Sequence, residues 1–196
     1  MHANLWATTL VEATMSEPMR SHDPARRPGR PAPADAFERL FLTEYGRVVA
    51  VAYRVLADRG EAEDVAQEVF IDFHRRHPAD ADFAAAWLHR AAAHAALNRI
   101  RSRKRRERRE QAGSGVDVTA LADPEREVEL REQSRQVRDA LRRLPKKAAS
   151  VLALRYSGLS YVEVAAALGV GTGQIGTLLR RAEHALRKEM THATSE

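Results

Sequence analysis

The chain has 196 residues, enough for one or two small domains; 44% of them are hydrophobic and 6% aromatic, and abundant Ala, Leu and Arg favour helices over strands. The absence of cysteine excludes disulfides and thiolate metal sites, and a net charge of +5 suits a polyanionic partner. No apolar run approaches the roughly 20 residues of a membrane span, and no basic start precedes an apolar core as in a secretory signal, so no membrane insertion and a cytoplasmic location are expected.

Residues 1–33, with Pro24, Pro28, Pro31 and Pro33 among small polar residues and arginines, read as a disordered leader. Asp35 is a good N-cap, and a long helix is predicted from there to about Leu56. Phe37, Leu40, Phe41, Tyr45, Val48, Val49, Ala52 and Val55 mark its buried side. Asp58-Arg59-Gly60 breaks that helix, and a second is predicted from about Glu61 to Arg76. His77-Pro78 ends it, since the residue before proline is pushed out of helical geometry.

Within the second helix the run Ala62–Phe70 (AEDVAQEVF) puts Val65, Val69 and, beyond it, Phe73 on one inward stripe. Asp64, Gln67 and Glu68, at i, i+3 and i+4, share another face. Such an acidic and amide patch on a basic protein can dock a basic surface of another protein, or simply be a solvated helix face. His74 and His77, near Asp72 and Asp80, could hold a metal, but solvated histidines are the plainer reading. With no nucleophile–base set and no phosphate loop, no catalytic residue, metal or cofactor is assigned.

A third helix is predicted from near Phe83, Ala-rich through Ala96 and ending in the basic tract Asn98–Arg109. Trp87, near its start, is either a core residue or a ring on which an unpaired base can stack. The tract is too dense to fold inward. It is suited to neutralising phosphates with counterion release, and the alternative is a solvated or frayed helix end.

Gln111–Asp123 has the composition of a linker, and helicity resumes at Pro124 with Val128, Leu130, Val137, Leu141 and Leu144. Pro145 sits at the first turn of a helix over Lys146–Tyr156, which Gly158 closes. Ser160–Arg187 then reads as a helix-turn-helix. Ser160 and Glu163 make a capping-box pattern, Val164, Ala165 and Leu168 face inward, and Gly169 stops the first helix. Ile175, Leu178, Leu179, Ala182, Leu186 and Met190 form the buried stripe of the second, opposite Thr177, Arg180 and His184. One face for a core and one for hydroxyls and cations suits a DNA major groove, although a helical hairpin with a solvated basic face has the same pattern.

The predicted architecture is all-α, with two small helical domains. A leader over 1–33 precedes the first domain at 34–110. A flexible linker over 111–124 leads to a second domain at 125–190 containing the helix-turn-helix, and a frayed tail covers 191–196.

Three motifs in this order resemble the extracytoplasmic-function group of bacterial sigma factors, over roughly Phe37 to Met190. AEDVAQEVF is similar to the group's D-A-E-D-L-V-Q-E-V-F run. Trp87-Leu88-His89-Arg90 leading to Asn98-Arg99-Ile100-Arg101 is similar to its W-L-Y-R…D-R-L-R promoter helix. Leu144-Pro145, Val151-Leu152, Tyr156–Tyr161, Gly169-Val170 and Arg180-Arg181-Ala182 look like its second DNA-binding domain.

The resemblance implies a subunit that binds core RNA polymerase and directs promoter recognition, strand opening and transcription initiation. By position it places Asp64, Gln67 and Glu68 against the polymerase clamp helices. The loop 77–82 and the start of helix three, including Trp87, would meet the minus-ten element, and Asn98, Arg101, Arg103 and Arg105 would bind phosphates or duplex edges beside it. Ser160, Tyr161, Gln174, Thr177, Arg180 and Arg181 fall at the minus-thirty-five element, with Ser160 and Tyr161 holding a phosphate through backbone amides. It also implies control by an anti-sigma factor. The recognition helix departs from the group's G-T-V-K-S-R-L, reading G-Q-I-G-T-L-L over 173–179, so Gly176 and Leu178 replace two cations and readout shifts to Gln174, Thr177 and Arg180. A stand-alone helix-turn-helix regulator is the competing reading, but it leaves AEDVAQEVF without a purpose.

Overall fold

The computed structural model describes residues 33–110 and 124–193, with side chains described for 35–103 and 133–191. The predicted leader up to residue 32, the linker over 111–123 and the end of the tail lie outside the described residues. Seven helices and no strand occur among the described residues: α1 (Pro33–Leu56), α2 (Arg59–Arg76), α3 (Ala84–Glu110), α4 (Pro124–Arg143), α5 (Lys146–Tyr156), α6 (Tyr161–Leu168) and α7 (Thr172–Ala193). The fold is all-α, as its composition dictates.

Two boundaries differ from the predicted ones. Helix α1 starts at Pro33, two residues before Asp35, which therefore lies in the first turn instead of capping it; its carboxylate there favours the positive end of the helix dipole. The break before α2 spans only Ala57 and Asp58. Ala57 takes a positive φ of 53°, and Asp58, in extended geometry, accepts the Glu61 amide at 2.8 Å as N-cap. With the turn made by those two residues, Arg59 and Gly60 are already helical.

Helices α1, α2 and α3 pack together around Val48, Ala52, Val55, Val65, Val69, Phe73, Leu88 and Leu97. The same apolar core continues into a second group of helices, α5, α6 and α7, around Leu152, Leu154, Leu159, Val164, Ile175 and Ala182. Helix α3 serves both, since it packs against α1 and α2 and also against α5 and α6. Ala84, Leu88, His89, Ala92, Ala93, Ala96, Leu97 and Ile100 are all buried, spread over more than half the helix circumference. The alanine-rich sequence follows from this position, because small side chains let neighbouring helices approach closely on both sides.

His89 is 1% exposed and would be costly to bury alone. Its Nε2 lies 2.8 Å from Glu44 Oε2 on α1; an ionised carboxylate only accepts, so the imidazole donates. Burial pushes the His89 imidazole below its usual range, and burial together with the cations of Arg90, Lys146 and Arg101 does the same to His94. A depressed histidine pKa means that the unfolded chain takes up the proton first. Their stability contribution is therefore complete above the ordinary value near 6.5 and is lost as pH falls below it. The thermal midpoint is expected to fall between pH 7.5 and pH 5, and His89→Leu should flatten that slope even while lowering stability throughout. An unchanged slope in the variant would contradict the assignment.

Candidate functional site

The acidic face predicted on α2 is present but not uniform. Asp64 and Glu68 are about two-thirds exposed, whereas Gln67 is half-buried and hydrogen-bonded to the Tyr45 side chain of α1. Both carboxylates face Arg99 of α3, with Glu68 Oε1 2.7 Å and Asp64 Oδ2 3.9 Å from its guanidinium. One turn further along α3, Arg103 reaches Glu61 at 3.4 Å. Arg99 was legible in the sequence only as one cation of a tract. Its role in holding the acidic face follows from α2 and α3 lying side by side.

The corner between α2 and α3 is aromatic. Phe73 is fully buried, Trp87 lies against it with ring centres 5.4 Å apart, and His77 sits 5.2 Å from Trp87 and 5.4 Å from Phe73. Phe83 meets His77 edge-on at 5.3 Å and is 49% exposed. Trp87 thus supports the corner from within, half-buried, and the more exposed ring of this corner is Phe83, at the start of the helix predicted to begin near it. His74 meets Phe37 at a tilt, with ring centres 4.5 Å apart, while His77 belongs to this corner, so the two histidines have separate partners.

Along the basic end of α3, Asn98 and Arg103 are exposed. Arg101 is half-buried and donates to the backbone carbonyls of Leu144, at 3.0 Å, and Arg142, at 3.5 Å. The Arg105 side chain lies outside the described residues, although the helix carries on to Glu110. Beside it a cleft is lined by Arg99, Arg103, Arg135, Arg138 and Arg142, with Glu61 and Asp139 as its carboxylates. Burial, reinforced by the Arg103 charge, pushes the Arg138 guanidinium below its ordinary range.

The helix-turn-helix forms as its sequence requires. The Ser160 hydroxyl accepts the Glu163 amide at 3.3 Å, and Glu163 Oε2 accepts the Ser160 amide at 2.8 Å, completing the capping box. Gly169 ends α6 at φ 65°, a left-handed position where a Cβ would be strained, and the chain turns by 88° into α7. Ile175, Leu179 and Ala182 are buried beneath α7, leaving Gln174, Thr177, Arg180 and Arg181 exposed on its outer side. Tyr161 is exposed beside them, with the Arg155 guanidinium 5.5 Å from its ring centre.

Two details refine the predicted site. The Ser160 amide is engaged within its own cap, so it is not free to hold a phosphate. Leu178 is half-buried against the core, and a Cβ at Gly176 would lie 4.0 Å from the Tyr161 ring, so both departures from a cationic helix stand next to packed groups. Glu163 also pairs with Arg47 of α1. That contact, ahead of the Ser160 hydrogen bonds, lowers its carboxyl to about 2. No single helix among the described residues is long and apolar enough to cross a membrane.

Residues 40–106 match the Sigma-70 region 2 family and residues 134–186 the Sigma-70 region 4 family. The RNA polymerase sigma-H factor of Pseudomonas aeruginosa is 31% identical over 173 residues, which cover 79% of this chain and 86% of that protein. The ECF RNA polymerase sigma factor SigW of Bacillus subtilis is 29% identical over 174 residues, covering 80% and 89% respectively. Among solved structures, the sigma factor RpoE in complex with the anti-sigma factor NepR from Bartonella quintana aligns with a TM-score of 0.46 at 20% identity, over 79% of this chain and 96% of that one.

Proposed function

Because this chain belongs to the extracytoplasmic-function group of the sigma-70 family, an RNA polymerase sigma factor that directs promoter recognition, we propose a division of that work among its surfaces. Residues 34–110 act as region 2 and residues 125–190 as region 4, and the two family matches fall inside these bounds. Asp64 and Glu68 dock on the clamp helices of core polymerase, with Gln67 at the edge of that contact. The loop after α2 and the aromatic corner of Phe83 and Trp87 meet the minus-ten element. There a base leaves the stack at a cost of a few kcal/mol, recovered by stacking and pocket contacts. Asn98, Arg101, Arg103 and Arg105 hold backbone phosphates beside it.

In region 4, Gln174, Thr177 and Arg180 read the minus-thirty-five element, while Arg181 and Tyr161 grip its backbone. The protein works by binding energy rather than bond chemistry, in the cytoplasm, and is held in check by an anti-sigma factor. The single observation that carries this reading is the pairing, in one chain, of an exposed acidic face on α2 with an exposed polar and cationic face on α7.

The division is tested by transcription with core polymerase on promoters varied at each element. Arg180→Ala should erase about 1–3 kcal/mol of discrimination at one upstream base pair and little elsewhere. Arg103→Ala should weaken all promoters alike and reduce the salt slope by about one unit. Identical effects of the two substitutions on every sequence would refute the assignment.

A further inference from the structure

We infer that the cleft between α3 and α4 is a binding site for a compact, multiply charged phosphate anion, of the size of one pyrophosphate group and free in solution. The site itself does not depend on the promoter reading. Five guanidinium groups line the cleft, from Arg99 and Arg103 of α3 and from Arg135, Arg138 and Arg142 of α4. The carboxylates among them are those of Glu61 and Asp139. The pair on α3 lies at i and i+4 and the trio on α4 at i, i+3 and i+7, so each helix presents one row of cations. Both rows open on the same cleft.

The carboxylates are too few, and both are engaged. Glu61 lies 3.4 Å from Arg103 and Asp139 lies 3.4 Å from Arg142, while Arg99 is committed to Glu68 and Asp64 on α2. Setting Arg99 aside, four guanidinium groups stand against two carboxylates, an excess of two positive charges along the walls. Arg138 makes no ion pair among the described residues. Asp139 and Glu61 act on it only from a distance, while burial and the neighbouring charges of Arg103 and Arg135 disfavour its cationic form. A half-buried guanidinium so placed is costly until an anion meets it.

The chemistry of the walls selects phosphate. All five cations are arginine, whose planar fork meets two phosphate oxygens at once, where a lysine would offer a point charge. Arg142 is recessed, with 15% of its side chain exposed, and the buried Leu56 and Ile100 supply the apolar part of the lining. Walls of low dielectric focus the field of the cations on an anion held between them. The cleft has a volume of about 140 Å³, small beside the roughly 300–1,000 Å³ of pockets that take drug-sized ligands. It suits one phosphate group or a linked pair, carried as inorganic pyrophosphate or as the tail of a nucleotide. A duplex phosphodiester, with a single charge on a convex surface, matches a recessed site of this excess less well. Arg103 also belongs to the residues assigned to promoter phosphates, so the anion and DNA draw on one guanidinium; that consequence alone rests on the promoter reading.

Calorimetric titration of the full chain with inorganic pyrophosphate is expected to show one saturable site, with orthophosphate binding more weakly. Arg138→Gln should weaken the pyrophosphate Kd about tenfold at unchanged helicity, and Arg138→Lys, which keeps the charge without the fork, should restore only part of it. Glu61→Gln removes a competing carboxylate and should tighten binding several-fold, a change of sign that damaged folding does not produce. Arg39→Gln takes the same charge from an exposed position at the other end of α1 from Leu56 and should leave the Kd as it is. No saturable binding, or equal losses in Arg39→Gln and Arg138→Gln, would overturn the site. ADP separates the free sources: binding as tight as pyrophosphate supports a nucleotide tail, and weaker binding supports the inorganic ion. A random duplex whose binding falls tenfold in Arg138→Gln, in a chain that pyrophosphate does not occupy, would give the cleft to the DNA backbone and overturn a free anion. Pyrophosphate that binds without displacing promoter DNA would uphold the site and remove only the shared role of Arg103.

Discussion

Replacing Asp64 and Glu68 together with arginine is expected to abolish binding to core RNA polymerase, and with it all promoter-directed transcription. Both side chains are about two-thirds exposed and neither supports the core, so helicity and thermal midpoint should change little. What changes is the sign of a face. The double variant sets two new cations opposite Arg99, whose guanidinium now lies 2.7 Å from Glu68, and turns an acidic docking surface into a repulsive one. Like charges across an interface cost several kcal/mol, enough to reduce affinity by more than about a hundredfold. The measurements are co-sedimentation with core enzyme and run-off transcription. Undiminished transcripts would remove the clamp assignment from α2.

The second large effect is on stability. Phe73→Ala removes a fully buried ring that Trp87 and His77 both lean on. Truncating a buried phenylalanine costs about 3–5 kcal/mol, a large share of the roughly 5–15 kcal/mol that holds a domain folded. For a chain of this size the thermal midpoint should fall by about 10 °C or more. The loss is also local. The aromatic corner that carries Phe83 would lose its floor, so strand opening should suffer more than duplex binding at the upstream element. Phe73→Leu, which refills much of the volume, should recover most of the midpoint and part of the opening. If Phe73→Ala melted like the parent, the corner would not be the packed unit its ring contacts describe.

Much of this protein could be read from the chain as written. Apolar periodicity marked most of the helices, while an alanine-rich run marked α3 and Pro145 with Gly158 bounded α5. Ser160 with Glu163 and the left-handed Gly169 announced the helix-turn-helix, and Asp64 with Glu68 on one face of α2 was a matter of spacing alone. These are local properties: a hydrogen-bonded cap, a turn that only glycine makes without strain, and a repeat of 3.6 residues all act within a few positions of one another.

What the chain alone left undetermined lies between elements distant in sequence. Trp87 could have been core or stacking ring, and only the approach of Phe73 and His77 turned it inward and left Phe83 outside. Arg99 and Arg101 look alike within the basic tract, yet they lie on different sides of α3. One is committed to carboxylates on α2 and the other to carbonyls at the end of α4. Arg47 and Glu163 stand 116 residues apart and carry no mark of each other. Long-range partners of this kind are decided by which helix faces remain uncovered after each module has folded, and by the need to satisfy every charge that is then drawn out of water.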